Sequence, residues 1–168
     1  MRGWMMAAAL LIAGCTPVEL RSPTQTRPAP AAASGEAITL ATGPCFGTCP
    51  VYRVTIRPDG TGTFEGQRFT AVTGTRAFGA TPDAYRRFAA MLAPYRPASG
   101  TLDYERDRAL CGDEIATDMP SADVIWHGDA ERRLHFYYGC GMERNRTLRE
   151  TLAAAPRTLP IAGFIGAK

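Results

Sequence analysis

One stretch limits the possible folds more than any other. In Val51-Tyr52-Arg53-Val54-Thr55-Ile56-Arg57, apolar and polar residues alternate from Tyr52 onward. Period-two alternation puts Tyr52, Val54 and Ile56 on one face of a strand and Arg53, Thr55 and Arg57 on the other. Pro58-Asp59-Gly60 follows as a turn signal, and Thr61 to Glu65 reads as the returning strand. A half-buried hairpin of this kind needs further strands and a covering layer. Ile38-Thr39-Leu40 is a strand candidate before it, and Gln67 to Thr75 reads as a strand after it, closed by Gly74. Ala122-Asp123-Val124-Ile125-Trp126 and Leu134-His135-Phe136-Tyr137-Tyr138 form a second hairpin, turning at Gly128-Asp129.

Two helices are expected between and after these hairpins. Thr81 is a suitable N-cap, Pro82 fits the first helical position and Asp83 favours the positive N-terminal end. Tyr85, Phe88, Ala89 and Leu92 then share a face at helical spacing, and Pro94 ends the run. Glu143 to Ala155 reads as the second helix, with Leu148 and Leu152 inward and Pro156 as its stop. Arg96 to Pro120 has no usable period and reads as a long loop. The order strands, helix, strands, helix, with short hairpin connections, predicts a single small α+β domain: an antiparallel sheet built from hairpins, with two helices packed on one face.

The chain of 168 residues is enough for one such domain, and 45% hydrophobic residues against 21% charged exclude wholesale disorder. A net charge of +3, from 19 basic and 16 acidic residues, is too small an excess for a nucleic-acid binder. The expected organisation has four parts. Residues 1–14 are an export signal and 15–36 a Pro/Ala-rich tether. Residues 37–156 are the globular domain, and 157–168 an apolar C-terminal tail that either docks on the domain or binds something else. Pro17, Pro23, Pro28 and Pro30 recur in the tether without apolar periodicity, so it cannot bury enough surface to offset its ordering entropy.

Arg2 and the uncharged run Trp4 to Ile12 fit an export signal, too short to span a bilayer comfortably. Ile12-Ala13-Gly14-Cys15 resembles the bacterial lipobox. That resemblance implies lipid transfer to the Cys15 thiol, cleavage before it and acylation of the new amino terminus. The membrane is then a partner through the Cys15 anchor. Such a protein resides in the cell envelope, on the outer membrane facing the periplasm in a Gram-negative cell, since Thr16 and not aspartate follows the cysteine.

Four cysteines remain in what is then an oxidising compartment, where an even count reads as disulfides. Four allow three pairings. We favour Cys45–Cys49, a local closure around Phe46-Gly47-Thr48, and Cys111–Cys140, which would pin the long loop to the end of the last strand. The competing reading of Cys45 and Cys49 is chemical. C-x-x-x-C-P resembles the copper-delivering, thioredoxin-like proteins of cytochrome oxidase assembly, and His135 would complete a soft donor set. Those proteins place a helix after the motif, whereas Val51 to Arg57 is strand-like.

Pro44-Cys45-Phe46-Gly47-Thr48-Cys49-Pro50-Val51-Tyr52 and Asp59-Gly60, after Ile38-Thr39-Leu40, resemble the bacterial domain of unknown function 6438. Thr117-Asp118-Met119-Pro120 and Phe136-Tyr137-Tyr138-Gly139 look like that family's second half. The resemblance covers about Ala37 to Ala154 and implies a small envelope domain with no assigned activity and no catalytic residues to carry over. Cys111 and Cys140 look like additions to the common pattern, which supports their pairing with each other.

Other constellations are weaker. Asp103, Glu105, Asp107 and Glu114 fall at positions of a calcium loop, but Arg108 stands where that loop needs glycine, so they read as a solvated loop. His127 and His135 lack a paired nucleophile. Trp126, Tyr137 and Tyr138 are candidate binding residues, although such aromatics commonly pack a sheet. No cofactor is indicated. The expectation is a lipid-anchored envelope protein of unassigned activity, acting as a non-enzymatic binding or structural module with an envelope protein or glycan as partner. The alternatives are a thiol-redox or copper protein using Cys45 and Cys49, and a small envelope hydrolase using carboxylates of the Arg96–Pro120 loop.

Overall fold

The computed structural model describes residues 35–166; the expected export signal, Cys15 and all but the last residues of the tether lie outside them. Seven strands form one sheet in the order β4-β3-β2-β1-β6-β7-β5. They are β1 (Ala37–Thr42), β2 (Val51–Ile56), β3 (Thr61–Arg68), β4 (Gly74–Gly79), β5 (Thr101–Asp103), β6 (Ser121–His127) and β7 (Glu131–Tyr137). Six are antiparallel neighbours, while β5 runs parallel to β7 at the edge. Two long helices, α1 (Pro82–Leu92) and α3 (Arg146–Ala154), and two single-turn helices, α2 (Arg108–Cys111) and α4 (Ala162–Ile165), complete this α+β domain.

Register explains the core. Ile38 lies opposite Ile56 and Trp126, and Leu40 opposite Val54 and Val124. Phe64 extends the same row across β3, and Leu134 and Phe136 across β7. One sheet face is therefore apolar in every central strand, and Tyr85, Phe88, Leu92, Leu148 and Leu152 from the two long helices join its cluster. The hairpin turn is fixed locally. Gly60 adopts φ +87°, and the Asp59 carboxylate accepts hydrogen bonds from the Thr61 amide and hydroxyl at 2.8 and 2.7 Å. At α1 the Thr81 side chain accepts from the Ala84 amide at 3.1 Å, with Pro82 in the first turn.

Three expectations need correction. Gln67 to Thr75 is not a strand. β3 continues to Arg68, and Phe69 then takes φ +55°, which ends extended pairing. The next strand, β4, begins at Gly74. It is a mostly exposed edge strand with no apolar alternation to betray it, and its Phe78 ring covers Gly62 so closely that a Cβ there would meet ring carbon at 2.3 Å. The Arg96–Pro120 segment is not one loop; it contains β5 and α2. β5 has three residues held by pairing with β7, and α2 is a single turn capped by the Asp107 side chain on the Ala109 amide. Both are too short for periodicity to register. α3 begins at Arg146, not Glu143, with Asn145 as its cap residue.

The apolar tail docks. Leu159 and Ile161 are buried, and the Phe164 ring sits 5.5 Å from Phe64. The Ala71 and Val72 amides donate to the carbonyls of Ile165 and Phe164, tying the tail to the β3–β4 loop.

Candidate functional site

The ladder registers place the C-terminus of β1, the N-terminus of β2, the C-terminus of β3, the N-terminus of β6 and the C-terminus of β7 at one end of the sheet. Thr42 lies opposite Ala122, Val51 opposite Arg68, and Ser121 opposite Tyr137. Both disulfides lie at this end. Cys45 is bonded to Cys49 between β1 and β2, and Cys111 to Cys140 beyond β7. The loops there are held rigidly. Phe46 N–H donates to Asp118 O, Tyr138 N–H to Pro120 O, Ala116 N–H to Gly139 O and Gly141 N–H to Glu114 O. The Met119 amide donates to the Tyr137 hydroxyl at 3.1 Å.

This end also gathers the exposed large hydrophobics among the described residues: Phe46, Phe69, Ile115 and Met142. Phe46 is 88% exposed. The opposite end carries Arg57-Pro58-Asp59-Gly60 and Gly128-Asp129-Ala130, which are turns without large apolar residues.

A cavity of about 550 Å³ opens at the disulfide end. Thr42, Cys49, Pro50, Tyr52, Pro120, Ser121 and Tyr138 form its sheet side; Leu152, Ala153, Pro156, Arg157, Ala162 and Ile165 form the helical wall. Its two tyrosine rings are anchored from behind. Tyr52 stacks on Phe64 at 5.4 Å, and Tyr138 meets Phe136 edge-on at 5.4 Å. Burial drives both phenols upward. Tyr52 is raised well above the ordinary tyrosine range, helped by neighbouring Tyr138, and Tyr138 is pushed up to about 12 although Arg149 pulls the other way. Both are neutral hydroxyl donors at physiological pH.

A second cluster lies on the sheet face away from the core. His135 Nδ1 is 3.0 Å from Asp123 Oδ1, and its Nε2 is 3.1 Å from Glu105 Oε2. Arg133 donates to the same Asp123 oxygen at 2.9 Å. The bond to Asp123 raises the His135 pKa against the opposing effect of burial, with Glu105 and Asp103 adding to the rise. Burial alone would lift Asp123, but its bonds to His135 and Arg133 outweigh it and lower its pKa. Protonated imidazole donates from both nitrogens, which this geometry satisfies. A general base needs a free lone pair, and here both ring nitrogens already face carboxylates.

A polar cleft formed by Thr101, Asp103, Glu105, Arg106, Arg133 and His135 lies beside this cluster. Its carboxylates are otherwise engaged. Asp103 Oδ1 accepts from the Glu105 and Arg106 amides, and Glu105 faces His135; outside the cleft, Asp107 caps α2. The four acidic residues at calcium-loop spacing therefore do not converge on one point.

The other sequence candidates separate. Trp126 is 2% exposed and packs in the core, away from any surface. Tyr137 uses its hydroxyl to fix the Met119 amide, and Tyr138 lines the cavity. Cys45 and Cys49 are joined to each other, while His135 is held by Asp123 and Glu105. Among the described residues no three His, Cys, Asp or Glu side chains are grouped to hold a metal ion. The sequence reading missed Tyr52, Ser121 and the tail residues of the cavity. The unusually apolar Leu159–Ile165 run was the available signal.

Fold and site thus define a small, doubly disulfide-bonded α+β domain with an aromatic-rimmed cavity at one sheet end. The chain belongs to the family described as Domain of unknown function (DUF6438), whose pattern it matches over residues 36–156. No curated protein matches it.

Proposed function

We propose that this is a lipid-anchored cell-envelope protein, attached through Cys15, that acts without catalysis by binding at the disulfide end of its sheet. The observation that carries the reading is the concentration of Phe46, Phe69, Ile115, Met142 and the cavity at that one end. Monomeric surfaces scatter apolar residues singly, and an end of the sheet that carries several of them beside a cavity is a candidate contact site. Both long helices are inferred to cover the same sheet face, since their buried residues share its core cluster. That leaves the polar face and the loop ends for contacts with an envelope protein or glycan.

Site-specific photocrosslinking in living cells tests the binding reading. A crosslinker at Phe46 or Phe69 gives discrete adducts, while one at Asp59, at the opposite end, gives none. Equal labelling from both ends refutes it. Incorporation of an alkyne-tagged fatty acid, lost in Cys15→Ala, tests the anchor separately. The redox alternative rests on the half-exposed Cys45–Cys49 bond at the cavity edge. The hydrolase alternative rests on the polar cleft beside Glu105 and His135, whose two ring nitrogens already face the Asp123 and Glu105 carboxylates.

A further inference from the structure

We infer that the cavity takes an organic carboxylate with an apolar body, its carboxylate held by the Tyr52 and Tyr138 hydroxyls and by Arg157. The inference rests on the disulfide end being the binding end and adds the ligand's chemical class.

Four features select that class. The volume of about 550 Å³ falls within the roughly 300–1,000 Å³ of small-molecule sites. The walls are apolar: Pro50, Pro120, Leu152, Pro156 and Ile165 offer no hydrogen bonds from their side chains. The polar groups that reach the cavity are chiefly donors. Tyr52 and Tyr138 stay protonated because burial opposes their ionisation, and Arg157 is cationic at any relevant pH. The Thr42 hydroxyl is already committed, donating to Pro50 O at 2.8 Å and accepting from the Tyr52 amide at 3.1 Å. No Asp or Glu is among the lining residues.

Donors need an acceptor. Among the described residues no side-chain polar atom is both buried and unpartnered, so the phenol hydroxyls reach the cavity surface and not a sealed apolar wall. An ammonium group would meet arginine and donors only, and a plain alcohol would leave the positive side unmatched. A carboxylate accepts from several donors at once and is complementary in charge.

The test uses the chain from Thr16 to Lys168, exported behind an ordinary cleavable signal, with decanoate, decanol and decylamine as probes followed by calorimetry and amide chemical shifts. Decanoate is expected to bind at least about tenfold more tightly than either neutral or cationic probe, because charge-assisted hydrogen bonds are the ones exchanged. Shifts should centre on residues 49–52, 120–121, 138 and 152–157. Ala153→Trp, at an exposed wall position, should fill the opening and abolish binding with the far-ultraviolet spectrum unchanged. Tyr138→Phe, which keeps the ring packing, should weaken decanoate about tenfold and leave decanol unaffected. Equal affinity for the three probes overturns the carboxylate assignment. Undiminished binding to Ala153→Trp overturns the site, and absence of any binding overturns both. The crosslinking pattern from Phe46 and Phe69 does not depend on these outcomes, so a failed ligand class is distinguishable from a failed binding end.

Discussion

The two disulfides close loops of very different length, and their removal should separate cleanly. In the chain-entropy account, a sequence separation of 29 for Cys111–Cys140 corresponds to about 3.6 kcal/mol, and a separation of 4 for Cys45–Cys49 to about 1.9 kcal/mol. Burial widens the gap. Cys111 and Cys140 are both essentially inaccessible, so replacing them with alanine also leaves unfilled core volume, whereas Cys45 and Cys49 are half-buried. The longer bridge also fixes the segment between α2 and β6, which has backbone pairing to Gly139 and Gly141 but little apolar burial. For a domain of this size the paired Cys111→Ala, Cys140→Ala variant should melt roughly 10–15 °C below wild type, and the Cys45→Ala, Cys49→Ala variant roughly 5–8 °C below. Thermal and urea unfolding of each variant under oxidising conditions, followed by circular dichroism, reads both. If the short-loop variant proves the less stable of the two, or the long-loop variant melts within about 3 °C of wild type, the assignment of Cys111–Cys140 as the main staple is wrong.

The same contacts give further expectations. Because Cys45–Cys49 is accessible and Cys111–Cys140 is not, mild reductant in native buffer should free two thiols at first, and mass-mapped alkylation should place both at positions 45 and 49. His135 has a folded pKa above its unfolded 6.5, so its contribution is fully present below that value and fades as pH rises through the folded pKa. Asp123, with its pKa lowered from 3.8, contributes above that value and loses the contribution as pH falls through its folded pKa. His135→Gln should flatten the stability change across the neutral-to-alkaline window in urea titrations; an unchanged slope refutes the ion-pair assignment. Thr81→Ala removes the α1 cap and should cost about 1 kcal/mol in urea unfolding. Loss smaller than about 0.3 kcal/mol would mean that Pro82 and the packed face carry the helix start without it.

Central strands were readable because their burial alternates. Tyr52, Val54 and Ile56 face the core, and so do Val124, Trp126, Leu134 and Phe136, in the phase their spacing dictates. α1 was readable from its cap and its Tyr85, Phe88 and Leu92 stripe. The edge strands were not. β4 has too little buried surface to impose a pattern, and β5 exists because β7 offers it a parallel edge. The turn at Phe69 hid itself for a different reason. No local residue preference announces a positive φ at a phenylalanine. For the site, Tyr138 could be picked from the sequence as an aromatic at a strand end. Trp126 had the same local signature and went to the core. What separates them is register: Trp126 lies opposite Ile38 in mid-sheet, whereas Tyr138 falls just beyond the last paired residue of β7.

The cavity depends on parts of the chain that are far apart in sequence and differ in kind. Tyr52, Pro120, Ser121, Tyr138 and Leu152 come from the stretch that matches the family, and Arg157, Ala162, Ile165 and Gly166 come from beyond it. The first group is held by the sheet ladders, two aromatic pairs and the disulfide loops. The second is held by Leu159, Ile161, the Phe164 contact on Phe64 and two backbone hydrogen bonds to the β3–β4 loop. Buried side chains at 159 and 161 fix where the tail crosses the core, so its docking follows from the same apolar burial that stabilises the sheet. The donor groups on the sheet side therefore have a rigid frame, and the wall facing them is anchored to the same core through Leu152, Ala155, Leu159 and Ile161.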